Sequence, residues 1–395
     1  MAQSDVEGVA GGPIEVAPAS NSKPLCNLRI LMVDSMPFGT IGTTSIFSFA
    51  HGLVSRGAEV TFISPASTRK APLASSRPGL NLRVLRGRSR WAWAKQVRTA
   101  VAEVKPHIVQ VVFNRFAFFY PLLGRFRSPR HVYWLLDVRS PLLTVGWRRM
   151  LGKAAGLLEA GGYDAVLTHV IQSAKDVAPL FRPATYEVPL GVPFARVKSR
   201  VVPQDAVLHP RRFIYTGGLS KNRKLDILLA GIAHARRLTE IPFTVDFIGD
   251  GRHSQSLIAY AESIGLGGTV DFLGALPHDE IMERLANYDA GFAYVPLYPF
   301  RWAPMLKALE YMAANLFVLA SDTEGAKLMI EQGRSGILFE NNSHAIGEAI
   351  ATAVEKGLPS SMLVAAREVA ARFDFDKIID TRLLPAYRAI GVTWK

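Results

Sequence analysis

Short apolar runs alternate with stretches of helical periodicity along most of the chain. The apolar runs predict strands at residues 28–33, 59–63, 107–112, 130–136, 165–168, 185–188, 213–215, 243–248, 269–273, 290–295 and 317–320. Helical periodicity predicts a helix that ends at Gly57 and further helices at residues 222–238, 254–264, 279–286, 304–313 and 375–390. Such alternation is typical of a parallel sheet that is covered on both faces, so the pattern predicts an α/β protein.

A break in the alternation divides the chain. Residues 189–193, Pro-Leu-Gly-Val-Pro, and the proline- and charge-rich stretch up to residue 210 carry no clear repeat. We therefore predict two doubly wound, Rossmann-like domains at residues 27–193 and 194–374, facing a common cleft. Residues 1–26 are predicted to be a flexible tail, and residues 375–395 a helix that packs back on the first domain.

Composition excludes several classes of protein. Of the 395 residues, 49% are apolar and only 20% are charged, which excludes disordered, collagen-like and coiled-coil chains. Cys26 is the single cysteine, which excludes a disulfide framework or a thiolate-rich metal site and is consistent with a reducing compartment. The first 25 residues lack the apolar core of a secretory signal, and no apolar run reaches the ~20 residues of a membrane span. We expect a cytoplasmic protein that binds a membrane, if at all, only peripherally.

Positive charge is concentrated in one part of the chain. The formal net charge is +13, and residues 60–153 alone contain 18 basic and two acidic residues. Aromatic residues interleave with this charge, and the predicted membrane patch comprises Arg86, Arg88, Arg90, Trp91, Trp93, Arg125 and Arg127. Rings that enter the headgroup zone beside cations that contact anionic lipid are typical of an interfacial membrane contact. A nucleic-acid groove would use the same residues, but nothing else in the sequence supports nucleic acid as a partner.

Two adjacent glycines follow a predicted strand of the second domain. Gly217 and Gly218 permit positive φ angles and close backbone approach, and Arg223 and Lys224 stand at the start of the following helix. A helix N-terminus with cations beside it can bind a phosphate group. A solvated basic loop is an equally open interpretation, because double glycines are common in turns.

Glycines also follow the next two strands. Gly249, Asp250 and Gly251 end one strand, and Phe272 and Leu273 lie at the end of the other. Backbone groups at these strand ends could contact a flat base at the edge of the cleft. Taken singly, each glycine is more simply an ordinary turn residue.

A charged pair lies on the helix predicted at residues 304–313. Lys307 and Glu310 are three residues apart and therefore share one helix face. A carboxylate accepts two hydroxyl hydrogen bonds, as a ribose diol requires, and a lysine can neutralise a diphosphate. By spacing alone, a surface ion pair between helix neighbours is the simpler interpretation.

In their order along the chain, these motifs resemble the group 1 retaining glycosyltransferases of the GT-B fold. The resemblance covers about residues 28–373, and a glycine loop with Gly39 and Gly42 resembles the family's amino-terminal loop. Residues 189–192 resemble its interdomain linker. Five motifs of the second domain carry the resemblance: Gly217-Gly218-Leu219, Arg223-Lys224-Leu225-Asp226, Gly249-Asp250-Gly251, Val270-Asp271-Phe272-Leu273-Gly274 and residues 304–310.

The resemblance implies the transfer of a sugar from a nucleoside diphosphate sugar. We expect no metal ion, because cations of Arg and Lys can balance the leaving diphosphate, and no resident cofactor. The second domain would bind this donor, with Arg223 or Lys224 on the diphosphate and Glu310 on the ribose. Retention of configuration is also implied only by the resemblance. Two positions depart from the family pattern: Trp302 replaces the first Glu of its Glu-x7-Glu pair, and Gly218 stands where many members carry an Arg.

The first domain would supply the acceptor site. Asp137 follows a buried-looking strand, at the position where relatives carry an acidic residue or a His that faces the cleft. An ionised carboxylate in this basic stretch would be stabilised and could take a proton from an acceptor hydroxyl or orient it. Pairing with Arg139 to close the loop is equally open. Asp137, Lys224 and Glu310 are thus the candidate catalytic residues, while His107 and His169 are interpreted as structural.

These observations predict a peripheral glycosyltransferase on the inner face of the cell membrane. Its acceptor would be a lipid-linked or other glycan acceptor in envelope or exopolysaccharide biosynthesis, and the patch would contact an anionic membrane surface. A nucleotide-sugar epimerase of similar fold is one alternative, although it would not need a basic, aromatic acceptor domain. A degenerate, non-catalytic scaffold subunit is the other, because Trp302 replaces a Glu.

Overall fold

Seven parallel strands form the sheet of the first domain. The structure is a computed structural model that describes residues 25–34, 41–65, 78–86, 89–112, 129–135, 162–170 and 184–394. In the described residues the strand order is β3-β2-β1-β4-β5-β6-β7, the doubly wound order of Rossmann-like sheets. The strands are β1 (Arg29–Val33), β2 (Glu59–Pro65), β3 (Leu80–Leu85), β4 (Ile108–Val112), β5 (Arg130–Leu135), β6 (Ala165–Thr168) and β7 (Ala184–Glu187).

Helices cover both faces of this sheet, which is why its central strands are apolar on both sides. Helix α1 (Ile41–Ser55) packs on the face that contains Ile30 and Met32. Helix α2 (Arg90–Val104) packs on the other face, which contains Leu31 and Val33. Strand β3 is half-exposed. Because polar residues interrupt its apolar ones, it forms no apolar run, and the sequence pattern did not predict it.

Six parallel strands form the second sheet, in the order β11-β10-β9-β12-β13-β14. They are β9 (Arg212–Thr216), β10 (Thr244–Ile248), β11 (Val270–Gly274), β12 (Ala290–Ala293), β13 (Phe317–Ser321) and β14 (Ile337–Phe339). The helices of this domain are α3 (Leu225–Leu238), α4 (Ser254–Ser263), α5 (His278–Arg284), α6 (Leu297–Phe300), α7 (Leu306–Ala313), α8 (Glu324–Lys327), α9 (Ser343–Lys356) and α10 (Ser360–Arg372). A short antiparallel pair, β8 (Val207–Leu208) and β15 (Leu358–Pro359), lies beside them. The predicted α/β class with two doubly wound domains is confirmed.

The end of the chain returns to the first domain. Helix α11 (Phe375–Ile378), a π-helical turn (Ile379–Leu383) and helix α12 (Leu384–Ala389) place Ile379 and Tyr387 in the same core as β1 and α1. The Tyr387 hydroxyl donates to Gln110 Oε1 at 2.5 Å, and Arg56 pairs with Asp376 at 2.7 Å. Where the chain crosses between the domains, Val192 N donates to Phe373 O at 2.9 Å, and Phe375 N donates to Val192 O at 3.2 Å.

Four predicted boundaries in the second domain were wrong by two or more residues, among them the end of the helix predicted to residue 286, which ends at Arg284 before a 3₁₀ turn (Leu285–Asn287). The helix predicted from residue 222 begins at Leu225, because a 3₁₀ turn (Lys221–Arg223) precedes it and Lys224 has the left-handed φ of 47°. The helix predicted from residue 304 begins at Leu306, since Met305 is not helical. The strand predicted to residue 295 ends at Ala293. In the described part of the chain, no helix is both long and apolar enough to span a membrane.

Candidate functional site

Three loops meet at the carboxyl edge of the second sheet. The connections that follow β9, β10 and β11 are joined by backbone hydrogen bonds from Gly217 N to Ile248 O (2.9 Å) and from Gly249 N to Gly274 O (2.7 Å). A third bond joins Leu219 N to Asp250 O at 3.1 Å. The three glycine motifs, which are dispersed in the sequence, are therefore joined through their backbones.

Glycine is required where these loops cross. A Cβ on Gly249 would lie 1.8 Å from Gly217 O, and a Cβ on Gly251 would lie 2.1 Å from Leu219 O, so neither position has room for a side chain. A Cβ on Gly218, in contrast, would meet nothing within 4 Å. The space beside Gly218 is therefore open to a ligand.

A basic turn flanks the glycine loop. Lys224 is exposed at the start of α3, and its carbonyl accepts a hydrogen bond from the Tyr294 hydroxyl at 3.0 Å. The Arg223 guanidinium lies over the Phe300 ring, 4.5 Å from the ring centre. Each of these two basic residues therefore lies on a segment that is fixed to the domain core, five and six residues after Gly218 in the sequence.

Glu310 is the buried carboxylate of this edge. Only 7% of the residue is exposed, although it belongs to α7 near the cleft. His278 Nε2 lies 3.1 Å from Oε1, and Lys307 Nζ donates to Oε2 at 2.9 Å. The surface ion pair that spacing favours is therefore wrong, because the tertiary fold buries the Glu310 carboxylate and adds a second basic partner.

Electrostatics keep this carboxylate ionised. Burial alone would raise the pKa of Glu310, but the charge of Lys307 and the hydrogen bond of His278 outweigh it and lower the pKa to about 2. A buried acceptor that stays charged at neutral pH can bind hydroxyl groups of a ligand with charge-assisted hydrogen bonds.

This low pKa predicts how acid weakens the fold. The carboxyl group binds a proton less readily in the folded protein (pKa about 2) than in an unfolded chain (ordinary value 4.5). Its stabilising contribution is therefore present above pH 4.5 and is lost as the pH falls towards 2. We expect urea unfolding curves of wild type and Glu310→Gln to differ most at neutral pH and to converge between pH 5 and pH 2. A difference that stays constant over this range would contradict the assignment.

Helix α7 is held against β9 by a buried tyrosine. The backbone N of Thr216 donates to the Tyr311 hydroxyl at 3.0 Å, and Thr216 Oγ1 lies 2.9 Å from the same oxygen. The Tyr311 ring also fills the space beside Gly291. These contacts fix the residue next to Glu310 to the strand that leads into the glycine loop.

Two predicted donor-binding side chains have structural partners. Asp250 Oδ1 accepts hydrogen bonds from Gly251 N (2.7 Å) and Ser254 Oγ (3.1 Å), so this carboxylate stabilises the start of α4. The Phe272 ring stacks on Phe247 with their centres 5.1 Å apart, whereas 40% of Leu273 is exposed beside it. The exposed surface at the end of β11 thus includes Leu273 and the backbone.

A hydrogen bond joins the two domains beside His169. His169 follows β6 in the first domain, and its Nε2 lies 3.1 Å from the backbone O of Trp302 in the second. Burial lowers the pKa of His169, which favours the neutral imidazole. The position where the family pattern has a Glu is therefore adjacent to the first domain.

Several predicted residues lie outside the described residues: Asp137, Gly39, Arg88, Arg125 and Arg127. Gly42 and Arg90 are placed only as backbone, near the starts of α1 and α2. The described part of the predicted membrane patch contains exposed Arg86, Trp91 with 48% of its surface exposed, and half-buried Trp93. The Trp93 ring packs against the core of the first domain.

Sequence reasoning missed His278 and Tyr311. Each has its partner at least 32 residues away along the chain, so no local spacing marks the pair. One signal was available for His278: it is a polar residue directly after Pro277, at the start of a helix that follows a strand of the candidate site.

Comparisons with known proteins agree with the motif order. Residues 203–369 match the family model described as Glycosyl transferases group 1. This match confirms the resemblance over that range. A search of curated proteins finds no match.

Solved structures with the same architecture include three informative neighbours. Sucrose-phosphate synthase from Thermosynechococcus elongatus is 15% identical in sequence, with a TM-score of 0.74. The superposition covers 92% of this chain and 99% of the synthase chain. Anabaena HepE in complex with UDP-glucose is 17% identical with a TM-score of 0.73, covering 93% and 100%. WaaG, a glycosyltransferase involved in lipopolysaccharide biosynthesis, is 16% identical with a TM-score of 0.66, also covering 93% and 100%. At these identities the neighbours establish the fold, which is the GT-B architecture.

Proposed function

We propose that this chain, whose second domain carries a group 1 glycosyltransferase match, transfers a sugar from a nucleoside diphosphate sugar to a lipid-linked or other glycan acceptor. The observation that carries the proposal is the buried, ionised Glu310, on the helix that Tyr311 joins to the strand leading into the crossing glycine loops. A carboxylate, two cations and an open backbone surface are the groups that a ribose and a diphosphate require. The complex of HepE with UDP-glucose supports a donor of this class.

Each group of the site has a proposed role. Glu310 accepts hydrogen bonds from the ribose hydroxyls, while the backbone at Gly217 and Gly218 lies against the diphosphate. Arg223 and Lys224 balance the charge that develops on the leaving diphosphate, so the transfer needs no metal and no resident cofactor. Such preorganised cations stabilise the departing group more strongly than the intact donor, which lowers the barrier.

The acceptor side of the reaction is assigned to the first domain. In the sequence, Asp137 is two residues after β5, whose last residue Leu135 is buried at the carboxyl edge of its sheet. We propose that its carboxylate orients the acceptor hydroxyl or takes its proton. Asp137→Asn should reduce kcat by about 100-fold or more while leaving nucleotide affinity unchanged, since general acid–base groups contribute typically 10²–10⁴-fold. Unchanged transfer in this variant would remove Asp137 from the mechanism.

The donor site is tested without any acceptor. A ligand that binds only the folded state raises the melting temperature by mass action, so a panel of UDP, GDP and ADP, alone and as common sugar conjugates, can be screened by thermal shift. We expect one base to give a clear shift, and Glu310→Gln to lose it. No shift with any diphosphate would favour a non-catalytic scaffold.

Exposed residues around the start of α2 support a contact with a membrane surface. We propose that the protein binds the inner face of the cell membrane through this basic and aromatic surface, close to a lipid-linked acceptor in envelope or exopolysaccharide biosynthesis. A cation near an anionic surface contributes about 1 kcal/mol, and an inserted ring adds to this. Combining Trp91→Ala with Arg86→Glu should therefore weaken binding to phosphatidylglycerol vesicles by about tenfold or more.

A matched variant controls for the vesicle experiment. Val364→Ala with Arg334→Glu makes the same kinds of change at exposed residues of the second domain. This pair should retain vesicle binding, measured by co-sedimentation. Equal loss in both double variants would mean that net charge, and not the surface around α2, determines the binding.

A further inference from the structure

We propose that His278 is a positioning residue that holds Glu310 in the orientation for two-point recognition of the donor ribose, an inference that rests on the proposed function. The imidazole Nε2 lies 3.1 Å from Oε1 of Glu310, and Lys307 Nζ lies 2.9 Å from Oε2. Each carboxylate oxygen therefore has one protein partner. The carboxyl plane cannot rotate without breaking one of these two contacts.

This arrangement leaves a matched pair of acceptor sites. A carboxylate offers about four lone-pair positions, two on each oxygen. With one position on each oxygen occupied by His278 or Lys307, one on each remains for a ligand. Two adjacent acceptor positions fit two adjacent hydroxyl groups. A Glu310 carboxylate held by both His278 and Lys307 therefore selects a vicinal diol over a single hydroxyl. Without His278, Oε1 loses its protein partner and the carboxylate is free to turn about the bond to its side chain.

His278 also fixes the distance between two parts of the candidate site. It is the first residue of α5, four residues after the end of β11, where exposed Leu273 and Gly274 border the loops. Helix α5 packs through buried Met282 into the same core as Leu309 of α7. The strand end and the carboxylate thus belong to one rigid unit that His278 connects. We infer that a nucleoside is recognised by its base and ribose together.

The experiment measures the interaction between a protein group and a ligand group. Affinities are determined by calorimetry for the best-binding diphosphate among UDP, GDP and ADP and for its 2′,3′-dideoxy form, in wild type and His278→Phe. Phenylalanine keeps the size of the ring but cannot donate a hydrogen bond. We expect His278→Phe to bind the ribonucleotide about tenfold more weakly, as expected for a lost hydrogen bond to a charged group, and the dideoxynucleotide equally well.

Further variants separate positioning from folding. His278→Gln, which keeps an N–H donor of similar reach, should restore most of the preference for the ribonucleotide. His344→Phe, at an exposed histidine of α9, should not change it. In turnover assays His278→Phe should raise the donor KM with little change in kcat. Should His278→Phe fail to fold, His278→Ala gives the same comparison of ligands.

The possible outcomes are distinct. Wild type that binds none of the diphosphates contradicts the proposed function itself. Wild type that prefers the ribonucleotide, together with a His278→Phe variant that keeps the whole preference, overturns the role of His278 and leaves the proposed function intact. Equal loss of both nucleotides in His278→Phe also overturns it, because a general structural effect would not depend on the diol.

Discussion

Replacing Glu310 with glutamine is expected to lower the affinity for the donor nucleotide by about 100-fold. Hydrogen bonds to a charged group contribute roughly 1.5–3 kcal/mol, and each 1.4 kcal/mol is a factor of ten, so losing charge from both acceptor positions has a large effect. A glutamine amide has one oxygen and one NH2 group, so it can accept a hydrogen bond from only one of His278 and Lys307 and turns a donor towards the other, which breaks one of the two contacts. Calorimetry with the preferred diphosphate measures the loss, and turnover should fall with it.

The chain offers a matched control for this substitution. Glu331 and Arg334 form another ion pair at a spacing of three residues, but both side chains are more than half exposed. Glu331→Gln should leave affinity and turnover unchanged, because exposed pairs contribute little. Donor affinity in Glu310→Gln within a few-fold of wild type would mean that the nucleotide binds elsewhere.

Replacing Gly249 with alanine is expected to destabilise the second domain by about 3 kcal/mol or more. The added methyl group would lie 1.8 Å from the Gly217 carbonyl oxygen, and the φ of 153° at this position is one that side chains rarely adopt. Overpacking costs typically 1–3 kcal/mol and backbone strain of this kind adds about as much. The two loops must separate, so the hydrogen bonds that join them should break and nucleotide binding should be lost as well.

Gly218→Ala is the matched control, since its Cβ would meet nothing within 4 Å. Its stability should lie within about 0.5 kcal/mol of wild type, the usual range for surface substitutions. Urea unfolding followed by tryptophan fluorescence measures both variants. Equal stability of the two would show that the loops after β9 and β10 do not cross as closely as the structure has them.

The strands were predictable from sequence because parallel strands are buried on both faces. The predicted strand at residues 165–168 coincides with β6, and that at residues 213–215 lies within β9. Helix starts were harder to predict, since Lys224 adopts a left-handed conformation that no apolar periodicity marks. The edge strand β3 was not predicted, because its apolar residues alternate with polar ones and form no continuous apolar run.

The candidate site was predictable only in part. Motif order identified the glycine loops and the pair of Lys307 and Glu310, because the strand ends of one parallel sheet lie at the same edge. Burial of Glu310 and its contact with His278 depend on how α5 and α7 pack, which local spacing does not encode. The contact of His169 with Trp302 depends on how the two domains meet.

The double crossing of the chain between the domains limits how the cleft can open. Val192 is hydrogen-bonded to Phe373 and Phe375, so both connecting segments lie side by side, and a Cβ on Gly191 would lie 2.5 Å from Phe373 O. Because the two connecting segments are paired, we expect the domains to rotate towards and away from each other about one axis, as about a hinge, and to resist twisting relative to each other. A chain that stopped at residue 372 would have only one connecting segment, and it would also lack Ile379 and Tyr387 from the core of the first domain. Terminal deletion should therefore disturb the domain at the opposite end of the sequence.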